Sequence, residues 1–274
     1  MVFIIDNNSQ ARFISRNLGQ VEREKATSVE RIASGKRINS AKDDASGLAI
    51  AQRMKSMVDG LYSARRNTND AVSMMQTADS SLGSVSDNLQ RMRELALQAS
   101  NGSLNGDDRK YLNAEFNALK EEVGRVIDTS QFNGIDLLSQ TDEVSFQVGA
   151  NAGETIHVKL ADVNEQLNDS GLNSSSIDST AGAEAAISSI DQALDSINET
   201  RADYGAVQNR FESTIATIDN QIVETEASRS RVEDSDIAME MSNFVQQQIR
   251  EQASIAMLGH ANQNRGLVMK LLGG

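Results

Sequence analysis

MQTADSSLGSVSDNLQRMRELALQA, residues 75–99, is the stretch of this sequence that decides the fold. Its apolar residues recur at alternating intervals of three and four positions, at Met75, Ala78, Leu82, Val85, Leu89, Met92, Ala96 and Ala99. This heptad pattern predicts a coiled-coil helix that buries one apolar face, here called the heptad seam, against partner helices. Arg91 lies two positions after Leu89, so we expect its guanidinium to point outward and to be free for a partner.

Heptad spacing returns twice toward the C-terminus. After a break at residues 101–106, a third helix that folds back on the second is predicted by Leu112, Phe116, Leu119, Val123 and Val126. A longer helix is predicted from about residue 182 to 228, where only Arg201 and Gln208 interrupt the apolar face. At ~1.5 Å per residue this helix would span roughly 70 Å, which is typical of a rod and too long for a globular core.

Between these helices the pattern changes. Apolar residues alternate with polar ones on both sides of Gly149–Gly153, which predicts a β-hairpin near residues 143–160. Residues 161–182 are rich in Asn, Asp, Ser and Gly, and they are interpreted as a surface excursion of loops.

Both ends of the chain carry helical patterns. A first helix is predicted over about residues 8–33, ending near Gly35, and a last helix over about 237–272. Ser40 and Asp43 have the spacing of a capping box for the second helix, and Asp44 adds favourable charge there. The apolar faces of the two terminal helices lack a partner within the rod, so we expect them to pair with each other and with copies of the chain.

Composition excludes several functions. The 274 residues contain no Cys, which excludes disulfides, thiolate metal sites and Cys nucleophiles, and no Pro, which favours long helices. A net charge of −13 argues against binding to nucleic acid. The two histidines, His157 and His260, have no ligand partner at metal-binding spacing, and no catalytic motif is present. We therefore expect no metal, no cofactor and no enzymatic activity.

Membrane and secretion signals are also missing from the sequence. No stretch approaches the ~18 apolar residues of a transmembrane helix, so no membrane partner is expected. The first residues, MVFIID, have no basic region of the kind that begins a secretory signal. An extracellular location would therefore require export without a cleaved signal peptide.

Residues 30–51, ERIASGKRINSAKDDASGLAIA, closely resemble the N-terminal signature of bacterial flagellins. Further matches are LQRMREL at 89–95, QFNG at 131–134, FQVGAN at 146–151, GAVQNRFE at 205–212 and SRVEDSD at 230–236. The resemblance implies a subunit that polymerises into the flagellar filament used for motility, in a short form. The expected fold of this subunit is mainly α. It consists of a long coiled-coil helical rod with a small β-hairpin, and of terminal helices that pair in the filament core.

The resemblance also implies a domain division. Residues 1–44 and 235–274 would form the core domain called D0, and residues 45–234 would form the helical rod called D1, which includes the hairpin and the excursion. The residues expected to take part in self-assembly are Ile14, Leu18, Val21, Met241, Val245, Ile249, Leu258 and Leu271.

By resemblance the partners are many copies of the chain, an export chaperone, the filament cap, the hook-junction proteins and host innate immune receptors. In many flagellins a vertebrate Toll-like receptor binds the rod face, and the matching residues here are Arg91, Leu95 and Glu115.

Two alternative functions stay open at this point. A hook-filament junction protein shares the terminal helices and has a similar length. A cytoplasmic coiled-coil scaffold is compatible with the heptads alone.

Overall fold

The computed structural model describes the backbone of residues 8–272 and the side chains of residues 8–263. Its helices are α1 (Ser9–Ser34), α2 (Ala45–Ala99), α3 (Gly106–Thr129), α4 (Val163–Asp169), α5 (Thr180–Glu233) and α6 (Ile237–Leu272). Its strands form two antiparallel pairs, β1 (Gln131–Phe132) with β2 (Ile135–Asp136) and β3 (Glu143–Gln147) with β4 (Thr155–Lys159). The predicted mainly α fold with long helices and a small hairpin is confirmed.

The chain divides into two compact units. One is built from the described residues of Met1–Ser56 and Glu224–Gly274, and the other from Met57–Val223. These bounds separate two groups of residues that pack mainly among themselves, and they fall inside α2 and α5. The division expected from the resemblance, at 44 and 235, follows the helix ends and stays a prediction.

The core of the Met57–Val223 unit is organised around the heptad seam. All eight seam residues are 0% exposed, and they share one apolar cluster with side chains of α3, the β3–β4 hairpin and α5. Phe116 of α3 and Phe211 of α5 are fully buried in this cluster. The seam therefore supplies the surface on which the other elements of this unit are assembled.

The predicted hairpin near residues 143–160 is present as β3 and β4, and it packs against α5 and α2. Val144 pairs with Val158 and Phe146 with Ile156, and the Phe146 ring packs edge-on against Phe211 with centroids 5.5 Å apart. The hairpin turn approaches α2 at Gly60, where an added Cβ would lie 3.1 Å from the Cβ of Ala150. Glycine at this position lets the turn come close to the helix.

The interpretation of residues 161–182 as loops is wrong. The segment contains α4 and a 3-10 turn at Leu172–Ser174, and it buries four widely spaced apolar side chains, those of Val163, Leu167, Leu172 and Ile177. Lys120 of α3 donates hydrogen bonds to the carbonyls of Asn173 (3.2 Å) and Ser175 (3.3 Å). Four anchors without a regular period give no sequence signal, yet they suffice to fix the segment on the core.

The N-terminal cap of α2 also differs from the prediction. Asp44 Oδ1 accepts a hydrogen bond from the Gly47 amide (2.8 Å), so Asp44, and not Ser40, caps the helix. Asp43 instead closes the preceding turn, accepting from the amide (2.9 Å) and the hydroxyl (3.0 Å) of Ser40. The predicted end of α1 is confirmed, because Gly35 adopts a left-handed conformation with φ 72°.

Leu89→Ala should destabilise the chain, because it leaves a cavity in the core next to α2. The expected loss is ~2 to 5 kcal/mol in the free energy of unfolding. Thermal and urea unfolding followed by circular dichroism would measure it.

Leu97→Ala is the matched control for this prediction. It makes the same substitution on the same helix at a side chain that is 48% exposed, and its effect should stay within ~0.5 kcal/mol. Equal losses for both variants would contradict the assignment of the buried face.

Candidate functional site

The two terminal helices pack against each other. Ile14 and Val21 of α1 and Ala261 of α6 are buried, while Leu18 and Leu258 are half-buried. At the start of α1, the Asn8 side chain accepts from the Ala11 amide (3.0 Å) and donates from Nδ2 to the Ala261 carbonyl of α6 (3.5 Å). The expected pairing of the two chain ends therefore occurs within one chain.

Charged groups occupy much of the α1–α6 interface. Glu240 is 4% exposed and accepts hydrogen bonds from Arg31 Nη1 (2.8 Å), Ser28 Oγ (3.1 Å) and Asn243 Nδ2 (3.3 Å). The hydrogen bond from Arg31 is the main cause that lowers the pKa of Glu240 below its usual value. Farther along the pair, Lys25 Nζ lies 2.6 Å from a Glu251 carboxylate oxygen. This interface is a polar one, and its stability depends on protonation.

The apolar pattern of the sequence does not reveal which faces of α1 and α6 meet. The inward-facing residues of α6 have strict heptad spacing but mixed chemistry: Glu240, Phe244, Gln247, Glu251, Ser254, Leu258 and Ala261. The facing residues of α1 have the same spacing: Ile14, Leu18, Val21, Lys25 and Ser28. Because both faces mix polar and apolar residues, the sequence pattern does not distinguish them from the other faces of the two helices.

A second apolar face of α6 points away from α1. Met241, Val245 and Ile249 are 45%, 45% and 60% exposed, and Ile237, one turn before Met241, is 42% exposed. We call these four residues the open α6 stripe. They follow each other at intervals of four positions, so they lie along one side of the helix.

The predicted self-assembly residues thus fall into two groups. Ile14, Leu18, Val21 and Leu258 lie in the α1–α6 interface, whereas Met241, Val245 and Ile249 lie on the open α6 stripe. The side chain of Leu271 lies outside the described residues. The structure therefore separates a contact within the chain from a surface that is left uncovered.

The residues predicted from the resemblance to bind a receptor are only partly brought together. Arg91 Nη2 donates to Glu115 Oε1 of α3 (2.8 Å), and Arg91 Nη1 donates to Glu94 Oε2 (2.9 Å). The expectation of a free guanidinium is therefore wrong, because Arg91 is held in two ion pairs. Its hydrogen bond to Glu115 raises the pKa of the guanidinium. Leu95 is 1% exposed and belongs to the core, so its side chain is not part of this surface.

In the described part of the chain, no group of three or more His, Asp or Glu side chains is arranged to hold a metal ion. No helix among the described residues is both long and apolar enough to cross a membrane.

Acid should loosen the α1–α6 pair through Glu240. Because pairing lowers the pKa of Glu240, its contribution to stability is complete above the unfolded-state pKa near 4.5 and is lost as pH falls through the lower, paired-state value. Glu240→Gln should therefore reduce the protection of α6 amides against hydrogen exchange at pH 7. The difference from the unsubstituted chain should disappear at about pH 2, where carboxylates are protonated.

Glu30→Gln is the control, because Glu30 lies on α1 with an exposed side chain. It should leave the pH dependence unchanged. Equal α6 protection in the Glu240→Gln variant and the unsubstituted chain at pH 7 would refute the role of Glu240.

Known proteins match this chain along nearly all of its length. The profile of the bacterial flagellin N-terminal helical region matches residues 5–143, and that of the C-terminal helical region matches residues 187–272. A flagellin of Halalkalibacterium halodurans is 43% identical over 270 residues, which are 98% of this chain and 99% of that protein.

Solved structures of flagellar proteins are also similar to this chain. The crystal structure of Bacillus cereus flagellin is 34% identical with a TM-score of 0.52, covering 56% of this chain and 88% of that one. A putative flagellar hook-associated protein from Vibrio parahaemolyticus shares the fold, with a TM-score of 0.60 over 70% of this chain and 100% of that one, at 15% identity. The high-coverage flagellin matches do not favour the junction-protein and scaffold alternatives. The chain therefore belongs to the bacterial flagellin family, and it is a structural subunit of the flagellar filament, not an enzyme.

Proposed function

We propose that subunits contact one another in the filament through the open α6 stripe, while the α1–α6 pair holds each subunit's terminal helices together. The observation that carries this proposal is the exposure of four apolar side chains in a row on one face of α6. Contiguous apolar surface of this kind is covered in stable assemblies, because its removal from water is favourable. Many copies of the same chain provide the cover.

The weakness of the α1–α6 pair supports coupling between its folding and polymerisation. In the described part of this pair, few apolar side chains are buried, and Arg31 Nε and Gln247 Oε1 are buried without a hydrogen-bond partner. Each unpaired buried polar atom costs about 1 to 3 kcal/mol, so the pair gains less than the packed core of the other unit does. Contacts with neighbouring subunits would supply the missing stability. Leu271 is assigned to the same assembly contacts from its sequence position alone.

The domain division implied by the resemblance is part of this proposal. Residues 1–44 and 235–274 would act together as D0, the part that assembles in the filament core, and residues 45–234 would act as D1, the rod. The support is the difference between a polar, sparsely packed terminal pair and the continuous apolar core within Met57–Val223.

We also propose that the export chaperone, the filament cap and the hook-junction proteins implied by the resemblance bind the terminal helices. An export chaperone would cover the open α6 stripe before assembly, since the stripe would otherwise favour premature association. The filament cap and the hook-junction proteins would contact the same terminal helices at the two ends of the filament.

We also propose that the exposed Arg91–Glu115 pair is recognised by host innate immune receptors. The support is an exposed, fixed guanidinium flanked by two carboxylates, which can exchange hydrogen bonds with a polar partner. Leu95 would act beneath this surface, by packing α2 against the core.

Val245→Asp should block polymerisation, because it places a charge in the middle of the open α6 stripe. The free energy of unfolding of the monomer should change by less than ~0.5 kcal/mol, since Val245 is a surface side chain away from the core. Salt-induced assembly, followed by sedimentation and electron microscopy, would show monomer in place of filaments.

Gln246→Asp is the matched control, because it adds the same charge one residue later, ~100° around the helix. It should assemble normally. Filaments of normal length and yield from Val245→Asp would overturn the assignment of the stripe to subunit contacts.

Arg91→Ala should weaken receptor binding by about tenfold, the usual effect of losing one good polar contact at an interface. The melting temperature should barely change, because the ion pairs of Arg91 are exposed to solvent. Surface plasmon resonance with a purified Toll-like receptor ectodomain would measure the affinity.

Arg125→Ala provides the comparison, since Arg125 is also an exposed arginine in an ion pair, with Glu122 on α3. It should bind as the unsubstituted chain does. If Arg91→Ala also bound with unchanged affinity, the receptor surface would have to lie elsewhere.

A further inference from the structure

Three Arg–Asp ion pairs join α2 to α5 within the Met57–Val223 unit. Arg65 Nη1 lies 3.1 Å from Asp219 Oδ1, Asp79 Oδ1 lies 2.9 Å from Arg201 Nε, and Arg93 Nε lies 2.7 Å from Asp191 Oδ1. Residue numbers fall along α5 as they rise along α2, so the helices are antiparallel. The three α2 members are spaced by two heptads, and the middle pair has the opposite sign from the outer two.

Apolar burial alone does not select this alignment of α2 with α5. The heptad seam repeats every seven residues, so sliding one helix along the other by one or two heptads again places apolar residues against apolar residues. A two-heptad slip would displace the helices by about 21 Å. The hairpin favours the observed register, because Phe146 packs against Phe211 of α5 and the hairpin turn lies against Gly60 of α2. A contact between the two helices themselves can also distinguish the observed register from the slipped ones.

Arg201 makes that distinction. The α2 positions it would meet in the observed register and in slips of one or two heptads are Arg65, Val72, Asp79, Ser86 and Arg93. Only one of these five is acidic. A slip of one heptad places Arg201 opposite Val72 or Ser86, and a slip of two heptads places it opposite Arg65 or Arg93.

The same holds in the reverse direction for Asp79. In the slipped registers it would meet Ile187, Leu194, Gln208 or Ile215, none of which is a cation. The side chains of the Asp79–Arg201 pair are 39% and 38% exposed, so the attraction itself adds little stability. Its value lies in the difference between registers. Every slipped register leaves Asp79 without a cation opposite it, and both slips of two heptads place Arg201 opposite another arginine, while one of the slips by one heptad leaves Arg201 only the neighbouring Asp87.

We propose that Arg201 is the residue that determines the register of α2 against α5. A filament of identical subunits requires rods of one length, and a slip of either size would give a rod of a different shape. The polar interruption of the α5 apolar face is thus a specificity element, and it acts each time the chain folds.

The absence of Cys from the chain makes the register directly measurable. Spin labels would be attached at Ser84→Cys on α2 and Ser213→Cys on α5, both at exposed positions, in the full-length monomer refolded from denaturant. Pulsed electron paramagnetic resonance should give one distance for the otherwise unsubstituted chain. Arg201→Leu replaces one of the two polar interruptions of the α5 apolar face with an apolar side chain. In this variant a second distance should appear, corresponding to a displacement of α5 along the helix axis by about 10 or 21 Å. Its melting temperature should be unchanged or higher.

Arg210→Leu is the control, because it makes the same substitution on α5 at an exposed position, and it should keep the single distance. The exchange variant Asp79→Arg with Arg201→Asp should retain the melting temperature but show the second distance. In that variant the new carboxylate on α5 would also be attracted to Arg65 and Arg93 in the slipped registers.

A single native distance in Arg201→Leu would overturn the proposal, since other contacts would then determine the register. Loss of folding in Arg201→Leu would overturn it too, because the pair would then be required for stability and not for register.

Discussion

Burial of the heptad seam is the interaction on which the rest of the structure depends. Fully burying one large apolar side chain contributes about 1.5 to 3 kcal/mol, and α2 presents its seam residues in unbroken sequence from Met75 to Ala99. The hairpin and the α4 segment are too small to be stable alone in water, and α3 gains most of its stability from packing its apolar face. They are ordered because their apolar side chains are added to a surface that α2 and α5 extend along the whole unit.

The terminal helices follow a different physical rule. In the interface between them, charged and hydrogen-bonded contacts occupy positions that apolar side chains fill in the other unit. These polar contacts are sensitive to protonation and individually weak. Such an interface can be disrupted at a lower free-energy cost than the apolar core of the other unit. The open α6 stripe, by contrast, is apolar surface that the single chain leaves exposed, as the proposed subunit contact requires.

The sequence predicted the fold well wherever burial is periodic. Met75, Phe116 and Val123 are buried at positions that the spacing indicates, and the alternation around Gly149–Gly153 located the hairpin. Prediction failed where structure depends on isolated anchors, as for Leu172 and Ile177, because four apolar residues without a period are indistinguishable from a loop.

Prediction of the site was weaker for a related reason. Ile14, Val21 and Met241 were found by their apolarity, which does not tell which partner covers each of them. The Glu240–Arg31 contact joins residues far apart in sequence, and nothing local distinguishes a carboxylate that will be buried from one that remains in water. Leu95 was assigned from the resemblance, and only the packing of α2 reveals that its side chain faces inward.

The buried anchors on both sides of the 3-10 turn affect how the protein tolerates added sequence. Leu172 and Ile177 are fully buried, whereas Asn173, Ser174 and Ser176 between them are exposed. A peptide or a whole domain inserted there would leave the chain on both sides attached to the core and would extend into solvent. The closure entropy of such a loop rises only slowly with its length, so large additions would cost the rod little stability. This short segment is therefore a natural position at which a minimal subunit can be enlarged, or at which a foreign epitope can be displayed.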